Sequence, residues 1–181
     1  KEKNTKEKIL EEALKLFAQS GYMGTSMNDI ASKLGVTKAA LYKHYKSKQE
    51  ILDSIIEKMN ELDIERVKLY EMPEGDLEKV TAEYKETAFD KIKQFTKVQF
   101  LHWTEEEFSC CFRKMLTLEQ YREPQMAQLY QNYLASGPLT YMEALFSGML
   151  GDEGKARQTA LDFYGPIFLL YSIYDGAEDK S

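Results

Sequence analysis

Arginine is absent from the first fifty residues, and proline and cysteine are scarce throughout, with four prolines and two cysteines in 181 residues. With only ten glycines beside them, a collagen-like or low-complexity chain is excluded. The two cysteines, Cys110 and Cys111, are neighbours. Adjacent Cα atoms sit about 3.8 Å apart, closer than the roughly 4.4–6.8 Å that a disulfide spans. A disulfide framework is therefore not expected, and a reducing, cytoplasmic setting fits. No apolar run approaches the ~18 residues of a membrane span, so no membrane partner is expected. The opening Lys1-Glu2-Lys3-Asn4-Thr5-Lys6 lacks the apolar stretch of a signal peptide. Internal repeats and strand-like alternation are missing as well.

What is present is an uneven distribution of charge. The chain carries 24 basic and 30 acidic residues, a formal net charge of −6. Taken whole, that sign argues against a nucleic-acid partner. Split at residue 50, it reverses for one part. Ten lysines against six acids give residues 1–50 a net +4, and 14 bases against 24 acids give residues 51–181 a net −10. A basic domain over 1–50 and an acidic domain over 51–181 are expected. A chain of this size buries roughly 70% of its unfolded surface, enough for a small module fused to a larger one.

The basic part reads as three helices. Ile9, Leu10, Ala13, Leu14, Phe17 and Ala18 follow a 3.6-residue period from a cap at Thr5, and Gly21 and Gly24 end the run. Thr25 or Ser26 opens a second helix with Met27, Ile30, Ala31 and Leu34 inward and Asp29 near its positive end. Gly35 suits a left-handed C-cap, and Thr37 caps a third helix over Lys38–Tyr45. Two short helices joined by a glycine-bearing turn match a helix-turn-helix, whose second helix fits a DNA major groove. Leu41 and Tyr45, four apart, hold that helix to the core, which leaves Lys38, Ala39, Tyr42 and Lys43 for solvent or DNA. Ser47 with Glu50 forms a capping box for a long helix reaching about Tyr70, and Lys48 at its start is placed to grip a phosphate. Pro73 and Gly75 break the chain.

The acidic part is helical by the same periodicity. One helix is expected from Leu77 to about Gln99, a junction at His102-Trp103-Thr104 with Thr104 as the next start, and another helix through Phe108, Cys111, Phe112 and Met115. Pro124 fits a first helical turn, Gly137-Pro138 a break or kink, and Lys155–Tyr174 the last helix.

At Ile9–Tyr22, Thr25–Ala31 and Gly35–Leu52 the chain resembles the TetR family of bacterial transcriptional regulators. The resemblance is dense over about residues 7–52. It implies an all-α fold, in which an N-terminal three-helix helix-turn-helix DNA-binding domain joins a C-terminal helical ligand-binding and dimerisation domain. It implies phosphate contacts from Thr25 or Ser26, Tyr42, Lys43 and Lys48, and base-edge proximity for Thr37, Lys38, Ala39 and Ala40. His44 stands where members often hold histidine and is implied to touch backbone phosphate. Ala39 replaces a commoner glycine and Tyr45 a commoner phenylalanine. Without arginine, a bidentate grip on guanine is missing from this module, so Lys38 is expected to give modest base discrimination.

The family further implies a homodimer on a double-stranded, palindromic DNA operator, paired through the helices near 125–147 and 155–174, and an input from a small-molecule effector. Leu145, Phe146, Met149, Leu161, Phe163, Tyr164, Ile167, Phe168, Leu170, Tyr171 and Tyr174 supply more apolar bulk there than one helix face hides. Tyr84, Phe95, Gln99, His102, Trp103, Phe108, Cys111, Tyr130 and Tyr133 form a polar and aromatic minority on otherwise apolar helices, the composition of a small-molecule cavity. Each also suits plain core packing. No glycine-rich phosphate loop or metal-ligand spacing occurs, so no cofactor or metal is expected. No nucleophile–base–orienter set assembles, so an enzyme is not expected. The expected role is a ligand-responsive repressor released by an inducer. An activator, or a helical interaction protein without specific DNA binding, is the competing reading.

Overall fold

The computed structural model describes residues 4–178, and every regular element among them is an α-helix. In chain order these are α1 (Thr5–Ser20), α2 (Met27–Leu34), α3 (Lys38–Tyr42), α4 (Lys48–Leu69), α5 (Leu77–Glu86), α6 (Phe89–Thr104), α7 (Glu107–Glu119), α8 (Pro124–Leu134), α9 (Ser136–Leu150) and α10 (Glu153–Gly176). The N-terminal helices form the helix-turn-helix arrangement and the C-terminal ones a helical bundle. Two compact units result. The first joins the chain up to Glu65 with Glu107–Ala127, and the second joins Arg66–Glu106 with the chain from Gln128 on.

In the first unit, the apolar stripe of α1 is buried as its spacing requires, through Ile9, Leu10, Ala13, Leu14 and Phe17. It packs on α7 and α2. Phe17, Leu14, Ile30, Leu41, Ile51, Leu52 and Ile55 are sealed from solvent, with Phe112, Met115 and Leu116 of α7 among the same fully buried set. Each such side chain contributes about 1.5–3 kcal/mol of transfer free energy. The cap of α1 is Asn4, whose Oδ1 accepts from the Lys6 N–H at 3.2 Å, in place of the expected Thr5. Asparagine ranks above threonine as an N-cap, and the helix gains a residue by starting on it.

The second unit packs α10 on α9 and α6, and α9 on α5. Ala156, Ala160, Tyr164 and Tyr171 form the inward stripe of α10. The Tyr164 hydroxyl donates to the Leu134 carbonyl at 2.7 Å, and Phe100 stacks on Tyr171 with centroids 5.5 Å apart. Gly148 of α9 lies so close to Thr81 of α5 that a Cβ would meet the threonine methyl at 2.8 Å. Pro166 sits inside α10, where it can give no backbone hydrogen bond.

Several expected boundaries moved, and the break expected at Gly137-Pro138 falls earlier, at Ala135, which leaves both residues inside α9. The helix expected over 77–99 is two, because the chain leaves helical geometry at Thr87 (ψ 130) and Ala88 (ψ 135). The Thr87 hydroxyl donates back to the Glu83 carbonyl at 2.8 Å, satisfying an acceptor that the helix end exposes. His102, Trp103 and Thr104 are the last turn of α6 and not the start of the next helix. Thr104 caps nothing and donates to the Phe100 carbonyl at 2.8 Å. The third helix is shorter than expected. It ends at Tyr42, and Lys43 and His44 continue as a turn whose N–H groups reach the Ala40 and Leu41 carbonyls.

Candidate nucleic-acid interface and body site

The turn between α2 and α3 is built from local caps. Ser26 accepts from the Asp29 N–H while the Asp29 carboxylate accepts from the Ser26 N–H at 2.8 Å, a reciprocal box at the start of α2. The Ser26 hydroxyl, which donates to Asp29 Oδ2 at 2.6 Å, and then the Ser26 N–H hold the Asp29 carboxyl below its ordinary range. Gly35 closes α2 in the left-handed region at φ 67, and the Val36 N–H returns to the Ala31 carbonyl at 3.0 Å. Thr37 then accepts from the Ala40 N–H at 3.1 Å and opens α3. Leu41 and Tyr45 are buried, and Thr37, Lys38, Ala39, Tyr42 and Lys43 are exposed. Ala40 and His44 are half-buried. Lys38 leans over the Tyr42 ring, its Nζ 5.8 Å from the centroid. The five-residue helix and the caps at its two ends thus present two ammonium groups, a phenol and two methyl groups outward.

The remaining head candidates lie differently. Ser26 is exposed, but Thr25 is buried and its hydroxyl donates to the Gly21 carbonyl at 2.8 Å. The Lys48 ammonium turns back onto the loop after α1, donating to the Tyr22 carbonyl at 2.5 Å and the Thr25 carbonyl at 2.7 Å over the Tyr22 ring. Burial pushes the Lys48 pKa down, and the Glu119 and Asp29 carboxylates push it back up.

In the second unit, two of the expected body residues, Gln99 and His102, meet a basic group that the sequence did not flag. Arg66, near the end of α4, is 6% exposed and His102 fully buried. The Arg66 guanidinium lies against both ring nitrogens of His102 and donates to Gln99 Oε1 at 3.2 Å. His102 Nδ1 is 2.7 Å from Glu106 Oε2. His102 Nε2 lies 2.9 Å from the same guanidinium nitrogen, so the imidazole stands between one buried cation and one carboxylate. Trp103 sits edge-on to His102 and to Tyr133, with centroids 5.1 and 6.4 Å away. Phe95 faces Tyr70 at 6.0 Å. Tyr84 is half-buried, its pKa pushed up to about 12 by burial. Tyr130 is half-buried on α8. Phe108 and Cys111 belong to the first unit, where Lys58 Nζ stands 4.8 Å from the Phe108 ring and burial raises the Cys111 thiol. An open groove of about 900 Å³ runs between α5 and α9, beside Leu77, Thr81, Ala82, Ala144 and Gly148, and none of the nine expected body residues lines it. Among the described residues no group of three metal-ligating side chains occurs, and no helix is long and apolar enough to cross a membrane.

Comparisons with known proteins bear on both units. Residues 9–55 match the family model described as bacterial regulatory proteins, tetR family. A biofilm operon icaADBC HTH-type negative transcriptional regulator, IcaR of Staphylococcus epidermidis, is 42% identical over 52 residues, which are 29% of this chain and 28% of IcaR. The Staphylococcus aureus IcaR is 41% identical over 51 residues. The chain therefore matches less than a third of the length of these curated relatives. Solved structures extend the likeness in fold. A TetR-family transcriptional regulator from Marinobacter aquaeolei superposes with TM-score 0.64 at 18% identity, covering 97% of this chain and 82% of that one. AibR, solved with isovaleryl coenzyme A and operator DNA, superposes with TM-score 0.64 at 21% identity, covering 98% and 92%.

Proposed function

From a head at residues 9–55 that belongs to the TetR family of bacterial regulatory proteins, we propose that the chain is a ligand-responsive transcriptional regulator. It acts in the cytoplasm as a repressor, binds a palindromic operator as a homodimer, and lets go when a small-molecule inducer occupies the body. Proteins of this family generally act as ligand-responsive DNA-binding regulators and are not enzymes. The observation that carries the reading is the outward face of α3, where Thr37, Lys38, Ala39, Tyr42 and Lys43 stand exposed on a capped helix whose Leu41 is buried. Residues 1–50 serve as reader, and residues 51–181 as sensor and dimer interface.

Dimerisation is supported by the outer face of α10. Leu161, Phe168, Leu169, Leu170 and Ile173 are exposed there, with Tyr141 and Leu150 on α9. Leu145, Tyr164 and Tyr171 close the body instead. Two-fold pairing places two recognition helices in successive major grooves about 34–36 Å apart, or a multiple of that. The effector is a small molecule, and Trp103, Tyr133, Gln99 and His102 are the body residues proposed to meet it.

Mobility shift on the duplex upstream of the protein's own gene tests the reading. Retention of that duplex at protein concentrations that leave a random duplex of equal length unshifted supports it. Equal retention of both refutes specific binding. A monomeric mass in solution at micromolar concentration refutes the dimer.

A further inference from the structure

Glu119, the last residue of α7, is fully buried, and neither carboxylate oxygen has a hydrogen-bond partner. A carboxylate buried in this way is disfavoured unless an opposite charge compensates it. Two cations do so without a hydrogen bond. Arg122 Nη1 stands 3.6 Å from Oε1 on a largely exposed side chain, and Lys48 feels the same carboxylate. The carboxylate lies directly against Gly21, where a Cβ would fall on Oε1. Gly21 begins the loop whose Tyr22 and Thr25 carbonyls hold the Lys48 ammonium. All of these groups belong to the first compact unit, in which α7 packs on α1 of the head.

We propose that Glu119 is an internal counter-charge that sets how tightly the head holds a DNA phosphate through Lys48. An ammonium has three N–H donors, and two of the Lys48 donors go to carbonyls, which leaves one to offer to phosphate. A buried carboxylate beside it lowers the positive potential that a phosphate meets there, and burial keeps salt from screening it. Glu119 thereby competes with DNA inside the molecule. The proposal rests on the DNA-binding reading above.

Glu119→Gln keeps the shape and removes the charge. Its affinity for duplex DNA is expected to rise about three- to tenfold, the scale of one nearby charge. The gain is expected to vanish when Lys48→Gln is added. Circular dichroism melting establishes that each variant is folded. A second readout needs no DNA. On reductively ¹³C-methylated full-length protein, the Lys48 pKa is expected to be lower in Glu119→Gln than in the parent chain. If the parent chain binds DNA and Glu119→Gln leaves both affinity and the Lys48 pKa unchanged, the counter-charge is overturned and the DNA-binding reading stands. A gain that survives in the Lys48→Gln background also overturns it, because the charge then acts elsewhere. If the parent chain binds no duplex at low salt, the DNA-binding reading fails and the proposal falls with it.

Discussion

Gly21→Ala should destabilise the reader far more than a glycine replacement in a helix-end loop normally does. Gly21 has φ 80 and ψ 155, a region that only glycine enters at little cost. Holding alanine there costs about 1–3 kcal/mol. The added methyl also lands on Glu119 Oε1, with the carboxylate carbon 3.2 Å away. An exposed glutamate would swing aside, but Glu119 is fully buried, so overpacking adds about 1–3 kcal/mol. The expected total is about 4 kcal/mol. Gly35→Ala is the internal control. Its φ is also positive, at 67, but nothing lies within 4 Å of the new methyl, so only the left-handed cost of about 1–2 kcal/mol applies. Equilibrium urea unfolding followed by far-UV circular dichroism measures both. Fluorescence is less suited, because the single tryptophan, Trp103, belongs to the second unit. In a Glu119→Ala background the cost of Gly21→Ala should fall by the overpacking share. Equal losses for the two glycine variants, or no relief from Glu119→Ala, would refute the reasoning.

Three further outcomes are expected. Lys38→Ala should weaken binding to the specific duplex more than to a random one, since Lys38 stands exposed in the first turn of α3; equal losses, measured by titration at fixed salt, would reduce it to a phosphate contact. Asp29→Ala should lower the stability of the head near neutral pH. Because the folded pKa is depressed by Ser26, that contribution is present above the ordinary carboxyl range and is lost as pH falls through the folded value, so the gap to the parent chain should narrow below about pH 4 in melts across a pH series. Tyr164→Phe should cost about 1–3 kcal/mol, because the buried Leu134 carbonyl loses the hydroxyl it accepts from; an unchanged melting temperature would show that another donor replaces it.

Legibility differs between the two units for a physical reason. In the head, each boundary is made by groups within five residues of one another. Ser26 and Asp29, Ala31 and Val36, and Thr37 and Ala40 all bond across such short spans, so their types and spacing state the geometry directly. The exposed set Lys38, Ala39, Tyr42 and Lys43 follows from helical period alone. In the body the apolar period continues through Thr87, so the break at Thr87 and Ala88 leaves no gap in the pattern. His102 reads equally as a surface residue, because its burial depends on Arg66, 36 residues earlier. Arg66 itself carries no local mark, lying in a stretch of ordinary charged helix.

The sequence by itself determined that the chain is helical, where the reading helix begins and which of its residues face outward, since capping and periodicity act over a few residues. It also determined that a net positive charge is confined to the first fifty residues. Only the tertiary structure decided that Thr25 is buried and bonded to Gly21, that Lys48 is held by the Tyr22 and Thr25 carbonyls, that Arg66 anchors His102, and that Glu119 lies against Gly21. Each of the last three brings together residues more than twenty positions apart. Such contacts depend on how whole helices pack, and that packing fixes which charged groups are desolvated and which partners they meet.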